Sequence, residues 1–275
     1  MGLILKKIDN QKFQLEQTLV PPIFYFDHWA IRKFSQNINL QDRFINSLKK
    51  LDGTLLISHI NLFEFGAMTN PYQAKEIESF FNKCLPNLAI NDFASDPGFI
   101  FSNPKQKDLH SPNSFWLLDH MTEVIKINQG KLTFSSFVTE IIKNHNQFQI
   151  LLDDFKSNTV EAIKTVRSDP VMQLKAKNLK VSKGLRLPGI LFQEFIRLYH
   201  LNEKEKFNPN DTLDMLHIIP AYGMLDYLLV DNAWSVRISK VKKRFRDAGL
   251  TCSHPIVFTD KGNGITDFLK YIESK

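Results

Sequence analysis

Several common signatures are missing from this sequence. Only two cysteines occur, Cys84 and Cys252, far apart and without the paired spacing of a zinc site or a thioredoxin-type motif. A disulfide framework is therefore not expected, and a reducing interior is the simplest location. No apolar run reaches the roughly 18 residues of a membrane span, and the N-terminal segment becomes charged at Lys6, too early for a signal peptide. We therefore expect a cytoplasmic protein that does not associate with membranes.

Nucleotide-binding and common hydrolase motifs are also missing. The sequence has no Gly-rich phosphate loop followed by Lys-Ser or Lys-Thr, no Gly-x-Ser-x-Gly elbow and no His-Glu-x-x-His helix. The segment 262–264 lacks the third glycine of a dinucleotide fingerprint, and the segment 27–29 lacks the second aspartate of haloacid-dehalogenase-like phosphatases. Nucleotide cofactors and those hydrolase classes are therefore not expected.

Apolar and aromatic residues are plentiful. Of 275 residues 43% are apolar and 23 are phenylalanine, enough for a sizeable core without disulfides. The formal net charge of +6 and a pI near 9.1 suit a polyanionic partner, but many ordinary proteins share such values. Charge alone therefore does not decide the function.

Short apolar runs alternate with helical spacing at both ends of the chain. The runs 22–26, 54–58, 227–230 and 256–258 have the length of buried strands, and each is followed by a segment with helical spacing. Ser58 is placed to cap the helix after the second run, and Asp211 to cap a helix that Pro220 should end near Ala221. This order predicts an α/β fold with a mostly parallel central sheet and helices on both faces.

The middle of the chain has a different pattern. Helical spacing recurs over 114–127, 134–143, 148–167 and 188–201, with no convincing strand. We therefore predict one discontinuous domain over 1–275, with a core of 20–95 and 205–275 and a large helical insertion over 96–204. The insertion's apolar faces could serve an assembly scaffold or an inhibitor-bound subunit, or could bury against the α/β core.

Four acidic residues stand out by their position. Asp27 and Asp231 each end an apolar strand, and the carboxyl ends of parallel strands lie at one edge of a sheet. Glu64 interrupts an apolar helical stretch, so its burial would require a partner for its charge. Asp214 shares a helix face with His217, and that face continues towards the core. We therefore expect these four acids to come together on folding.

Such a set of carboxylates suits a hard divalent cation, Mg²⁺ or Mn²⁺ rather than zinc. Divalent ions held there can activate water and stabilise charge on a phosphoryl oxygen, which indicates metal-assisted phosphodiester hydrolysis. Asp211 is a second candidate for the third acid, although its side chain is equally explained as a helix cap.

At these positions the chain resembles the PIN-domain nucleases. In that family an aspartate ends the first strand, a glutamate lies on the helix after the second strand, a later aspartate precedes an alanine on one helix, and the last acid follows a final strand. The matching stretches are Phe24-Tyr25-Phe26-Asp27, the segment 57–64 ending in Glu64, Asp214 to His217 with Ala221, and the segment 226–231 ending in Asp231. The resemblance covers roughly 20–95 and 205–275.

The resemblance implies a PIN-like three-layer α/β/α fold and Mg²⁺- or Mn²⁺-dependent cleavage of RNA. It implies that Asp27, Glu64, Asp214 and Asp231 are both catalytic residues and metal ligands. RNA would be the substrate, and the function would be that of an endoribonuclease, as in the many members that are toxins of toxin–antitoxin pairs. A protein inhibitor of the antitoxin kind or a second copy of the chain would be the protein partner. His28 stands where many members have Ser or Thr, and Leu229 where Thr or Ser is frequent.

Other interpretations stay open beside the nuclease. A catalytically silent PIN-like module that binds RNA or protein would fit the same residues. His217 either orients Asp214 or touches a substrate phosphate, or it is a satisfied core or boundary histidine, which is the preferred interpretation. Trp29 and Trp234 either stack on bases or pack in the core. The basic stretch from Lys240 to Arg246 is either a contact surface for phosphates or an ordinary solvated helix face. The stretch 173–183 is either another contact surface or a mobile loop.

Overall fold

The computed structural model describes residues 3–7, 13–66, 68, 70–91, 145–182, 184–201 and 207–275. The strands described are β1 (Leu3–Lys7), β2 (Phe13–Gln17), β3 (Ile23–Phe26), β4 (Thr54–Ser58), β5 (Leu88–Asn91), β6 (Tyr227–Val230) and β7 (Ile256–Thr259). The α-helices described are α1 (His28–Gln36), α2 (Ile38–Lys50), α3 (His59–Gly66), α4 (Pro71–Cys84), α5 (His145–Ser168), α6 (Pro170–Asn178), α7 (Leu187–Leu201), α8 (Pro209–Ala221), α9 (Asn232–Asp247) and α10 (Gly264–Glu273). The helices predicted over 114–127 and 134–143 lie outside the described residues.

Five strands form a parallel sheet in the order β5-β4-β3-β6-β7. The central strand β3 pairs with β4 on one side, Tyr25 opposite Leu56, and with β6 on the other, Tyr25 opposite Leu228. The strands β1 and β2 form a separate antiparallel pair. The α/β class and the parallel sheet predicted from the alternating pattern are confirmed.

The side chains of the sheet alternate between two hydrophobic clusters. Phe24 and Phe26 of β3 point into one cluster, which also contains buried residues of α1, α2, α4 and α10. Tyr25 of β3 points into the other cluster, which contains buried residues of α7, α8 and α9. Because successive side chains of a strand point to opposite faces, these clusters lie on the two faces of the sheet. Helices therefore flank the sheet on both sides, which is compatible with three layers.

The second cluster includes helices from the predicted insertion. Ile190, Leu191 and Phe195 of α7 are buried in it, together with Ile163 of α5. Glu194 of α7 is almost completely buried, and its Oε2 lies 2.5 Å from Nε of Arg244 on α9. In the described part of the chain, the apolar faces of α5 and α7 thus bury against the α/β core.

Helix ends follow local capping chemistry. Asn208, and not Asp211 as predicted, is the N-cap of α8, because its side chain accepts from the backbone of Asn210. Asp211 completes the capping box by accepting from the backbone N–H of Asn208 at 2.8 Å. As predicted, α8 ends at Ala221, directly after Pro220, and a short 3₁₀ turn follows. No helix in the described ranges has the length and apolar character needed to cross a bilayer.

Gly53 offers a test of the packing between α2 and the sheet. A Cβ atom at this position would lie 2.6 Å from the carbonyl oxygen of Pro22 and 2.9 Å from the ring of Phe24. Since backbone and core ring must both move, we expect Gly53→Ala to lower the free energy of unfolding by about 1–3 kcal/mol. Gly184→Ala, whose Cβ would meet nothing within 4 Å, is the matched control. Urea denaturation measures both, and equal stability of the two variants would contradict this account of the packing.

Candidate functional site

The two strand-end acids occupy neighbouring positions at one edge of the sheet. Asp27 follows β3 and Asp231 follows β6, and these strands are paired with Phe26 opposite Leu229. The backbone N–H of Asp27 donates to the carbonyl oxygen of Leu229 at 2.9 Å, so the pairing continues one residue beyond β3. As predicted for a parallel sheet, both aspartates lie at its carboxyl edge.

Each of these aspartates also begins a helix. Asp27 Oδ1 accepts from the backbone N–H of His28 at 2.5 Å, at the start of α1. Asp231 Oδ1 accepts from the backbone N–H of Trp234 at 2.7 Å, in the first turn of α9. A carboxylate at a helix N-terminus is stabilised by the exposed N–H groups and the helix dipole. The capping role and a possible chemical role thus coincide in the same side chains.

The other two acids come from helices that pack against each other. Glu64 lies on α3, which follows β4, and Asp214 lies on α8; the two helices are in contact. Asp214 Oδ2 accepts from the indole Nε1 of Trp234 at 2.8 Å. Trp234 is fully buried and therefore belongs to the core, while its indole N–H positions Asp214.

His217 connects Glu64 to the end of β4. Its Nε2 lies 3.1 Å from Glu64 Oε2, and its Nδ1 lies 2.6 Å from the hydroxyl of Ser58. An ionised carboxylate can only accept, so a hydrogen bond to it requires the proton on Nε2. In a neutral ring, Nδ1 is then an acceptor for the Ser58 hydroxyl, whose single proton has Asn61 Oδ1 at 3.2 Å as its other acceptor. His217 is buried with both nitrogens in contact with partners, as predicted, and it contacts Glu64, which the sequence did not indicate.

Polar groups behind this contact hold the turn between β4 and α3. Ser58 Oγ accepts from the backbone N–H of Asn61 at 3.1 Å, which is the capping contact predicted for Ser58. Asn61 Oδ1 accepts from the backbone N–H of Ser58 at 3.0 Å and from the hydroxyl of Tyr25 at 3.2 Å. This network fixes the start of α3 and hence the direction from which Glu64 enters the site.

A second histidine, His28, also faces Glu64. Its Nδ1 lies 3.6 Å from Glu64 Oε2, longer than a hydrogen bond, and its ring packs 5.3 Å from the ring of Phe65. Among the described residues this buried Nδ1 has no hydrogen-bond partner. His28 therefore places an unsatisfied polar atom beside the carboxylate, at a position where the sequence indicated only a departure from the PIN pattern.

The acids affect one another electrostatically. Burial raises the pKa of Asp27 to about 7, with further increases from nearby Glu64 and Asp231. Burial, then Asp27 and Glu64, raise the pKa of Asp214. Burial would also raise the pKa of Glu64, but His217 and His28 hold it at about 2. The structure therefore brings all four predicted acids within electrostatic reach. Negative charge is costly at Asp27 and Asp214, whereas the two histidines stabilise it at Glu64.

The donor set fits a hard cation in its chemistry. The four acids supply carboxylate oxygens, and a divalent ion would relieve the repulsion that raises the pKa of Asp27 and Asp214. Within the part of the chain that the structure describes, no three His, Cys, Asp or Glu side chains already form a group that could hold a metal ion. The case for a metal therefore rests on the charge of the site and its oxygen donors.

Other predicted residues have structural contacts. Asp211 Oδ1 accepts from Nη1 of Arg237 at 3.0 Å, so this acid is held by an ion pair and by its capping bond. In the basic stretch of α9, Arg244 pairs with Glu194 and Lys242 Nζ donates to the carbonyl oxygen of Pro255 at 2.7 Å. The exposed cations of this stretch are Lys240, Lys243 and Arg246.

Comparison with known proteins found no matching family model, no matching curated protein and no matching solved structure. The case for a function therefore depends on the residues and contacts described above.

The electrostatic cost at the site predicts a gain in stability when one carboxylate is neutralised. Because the pKa of Asp27 rises from its ordinary value of 3.8 to about 7, its ionised form destabilises the fold above pH 7. Asn caps helices as well as Asp does, so Asp27→Asn should keep the bond to His28. We expect its Tm to exceed that of the wild type by at least about 2 °C at pH 8 in EDTA, and the gain to shrink as the pH falls from 7 towards 4.

Asp169→Asn is the matched control for this measurement. Asp169 caps α6 through bonds to the backbone of Val171 and Met172, in the helical part of the chain. Differential scanning fluorimetry of both variants across this pH range compares the two caps. A lower Tm for Asp27→Asn at pH 8, or the same gain in both variants, would contradict the electrostatic account.

Proposed function

We propose that this protein is a PIN-like, metal-dependent endoribonuclease whose ligands for one or two Mg²⁺ or Mn²⁺ ions are Asp27, Glu64, Asp214 and Asp231. One observation carries the proposal: the four acids lie within electrostatic reach of one another at the carboxyl edge of a parallel sheet. Two of them directly follow β3 and β6 and two lie on α3 and α8, up to 204 positions apart in the sequence. The order of these acids along the chain and the class of the fold support the same proposal. We infer that the three-layer arrangement is PIN-like as well.

The bound ion would supply the activation of water and the stabilisation of charge on the phosphoryl group. The protein's own residues orient the ligands. His217 and Ser58 hold Glu64, Trp234 holds Asp214, and the first turns of α1 and α9 hold Asp27 and Asp231. Such supporting contacts matter because loss of an outer partner typically lowers metal affinity or activity 10–100-fold.

The distribution of charge indicates which residues contact an RNA substrate. A cluster of acids repels a phosphate chain, so affinity for RNA requires cations elsewhere along the path of the RNA backbone. Lys240, Lys243 and Arg246 recur on the exposed side of α9, the helix that begins at Asp231. We infer that these side chains contribute sequence-independent, salt-sensitive contacts to the RNA backbone.

Metal binding can be measured without activity. Mn²⁺ should raise the Tm of the wild type, because a ligand that binds only the folded state stabilises it. The increase should be lost or strongly reduced in Asp27→Asn and Asp231→Asn, and kept in Asp169→Asn. Equal shifts in all four proteins would contradict a metal site at these carboxylates.

Cleavage is tested by sequencing RNA ends after brief expression of the wild type beside Asp27→Asn. We expect new 5′-phosphate ends with the wild type and at least about 100-fold fewer with Asp27→Asn, because a ligand should matter no less than its outer partners. Purified protein should show the same cleavage with Mn²⁺ and lose it in EDTA. Growth arrest by the wild type, but not by Asp27→Asn, would support a role as a toxin.

The capping roles of Asp27 and Asp231 and the contacts of Glu64 and Asp214 favour a second candidate, a catalytically silent PIN-like module. Such a protein would bind RNA or a protein partner equally well after Asp231→Asn, and would release no nucleotides. Absence of Mn²⁺-dependent cleavage of any cellular RNA pool, with RNA affinity retained, would decide for this module.

A further inference from the structure

A groove of about 320 Å³ lies between α5, α6 and α7, in the helical part of the chain. Its apolar lining comes from all three helices and the residue after α6. These side chains are Val166, Met172, Leu179, Phe192 and Ile196. None of the four acids of the candidate site lines this groove, so it needs an explanation of its own.

The apolar surface continues outside the groove. Met172, Lys175, Ala176 and Leu179 have the spacing of one helical face and line the groove. On the neighbouring face of α6, Val171 and Leu174 are each 60% exposed, beside Met172 at 40% and Leu179 at 41%. Single exposed apolar side chains are normal, but four within nine residues form a patch of the kind that marks interaction sites.

The rim of this apolar surface is basic. Lys175 and Arg197 line the groove, and no carboxylate does so among the residues that the structure describes. His200 lines it as well, but burial and the charge of Arg167 lower its pKa, so this ring adds no positive charge. Lys177 and Lys180 are exposed close by in sequence. The nearest acid along α7, Glu194, is buried between two arginines, 2.5 Å from Arg244 and 3.7 Å from the groove-lining Arg197, so its single charge is compensated by both. The groove therefore combines an apolar floor with a surplus of positive charge.

We propose that this groove is a docking site for an acidic amphipathic helix of a protein partner. Charge complementarity selects an acidic occupant, and the aliphatic floor selects apolar side chains at helical spacing, which is how helix-in-groove interfaces are built. RNA is a poorer fit, because nucleic-acid sites offer aromatic platforms for bases and this floor has one aromatic ring, Phe192. The proposal stands independently of the nuclease activity.

Three labelled peptides of about 18 residues test the proposal on the full-length protein. The first has leucines at positions i, i+3, i+4 and i+7 and glutamates elsewhere; the second replaces each glutamate with lysine; the third scrambles the first. Fluorescence anisotropy should show micromolar binding of the acidic amphipathic peptide, weakened by salt, and at least about tenfold weaker binding of the other two. Equal binding of all three, or no binding of the first, overturns the proposal.

Matched variants localise the binding. Met172→Asp and Lys175→Glu, at residues that line the groove, and Leu174→Asp, on the apolar patch beside it, should weaken binding of the acidic peptide at least about tenfold. Ile38→Asp, at a residue that is 60% exposed like Leu174, and Lys270→Glu, at an exposed residue of α10, should leave the binding unchanged. Equal weakening by test and control variants would place the peptide elsewhere and contradict the proposal.

Other occupants give distinct results. A fall in Tm for Leu174→Asp well beyond that for Ile38→Asp means that this chain covers the patch itself. A dimer that Leu174→Asp converts to a monomer, measured by light scattering, means that a second copy occupies the groove. Displacement of the acidic peptide by a single-stranded RNA homopolymer, lost in Lys175→Glu, means a nucleic-acid surface. Each of these results overturns docking of an acidic partner helix.

Discussion

The position of β3 at the centre of the parallel sheet is the constraint on which the candidate site depends. Its two neighbours, β4 and β6, pair with it in the same direction, although β6 begins 204 positions after β3. Parallel pairing brings the carboxyl ends of these strands to one edge, and the segments that follow must leave from that edge. Asp27, Asp231 and the turn into α3 are therefore brought together by the pairing of apolar strands, without any attraction between the acids.

Repulsion among the acids destabilises the fold that brings them together. Four carboxylates at one edge repel each other, and burial of Asp27 adds a desolvation cost. Local contacts offset part of this cost: two helix N-termini, the indole N–H of Trp234 and the ring of His217 each hold one carboxylate. Carboxylates with perturbed pKa values cluster at functional sites of proteins, and structural networks of charges produce them as well.

The sequence predicted the parts of the structure that depend on local pattern. The strands β3, β4, β6 and β7 were visible as short apolar runs, and the strand-end acids followed from the geometry of parallel sheets. The strand β5 was missed because Pro86 and Asn87 precede a run of only three apolar residues. A mobile loop is wrong for the first part of the stretch 173–183, because Asp169 caps a helix over Pro170–Asn178.

Contacts between side chains that are far apart in the sequence could not be predicted from local sequence patterns. His217 and Asp214 share one helix, which suggested that they act together, yet His217 contacts Glu64 and Ser58 instead. That outcome depends on how α8 packs on α3, across about 150 positions of chain, and no local periodicity carries this information. The bound metal and the substrate remain predictions for the same reason, because recognition of either depends on distances between side chains that are far apart in the sequence.

The helix α9 separates two charged regions of the molecule. It begins at the cap Asp231 and carries Arg244 near its end, where Nη2 donates to the carbonyl oxygen of Leu179 beside the groove. Thirteen helical steps separate these residues by about 20 Å, more than twice the Debye length of about 8 Å at physiological ionic strength. The acidic edge of the sheet thus lies at the N-terminal end of α9, and the basic groove lies near its C-terminal end. The helix dipole favours this orientation, and salt screens the two charged regions from each other. The charge of one region therefore has little electrostatic effect on binding at the other.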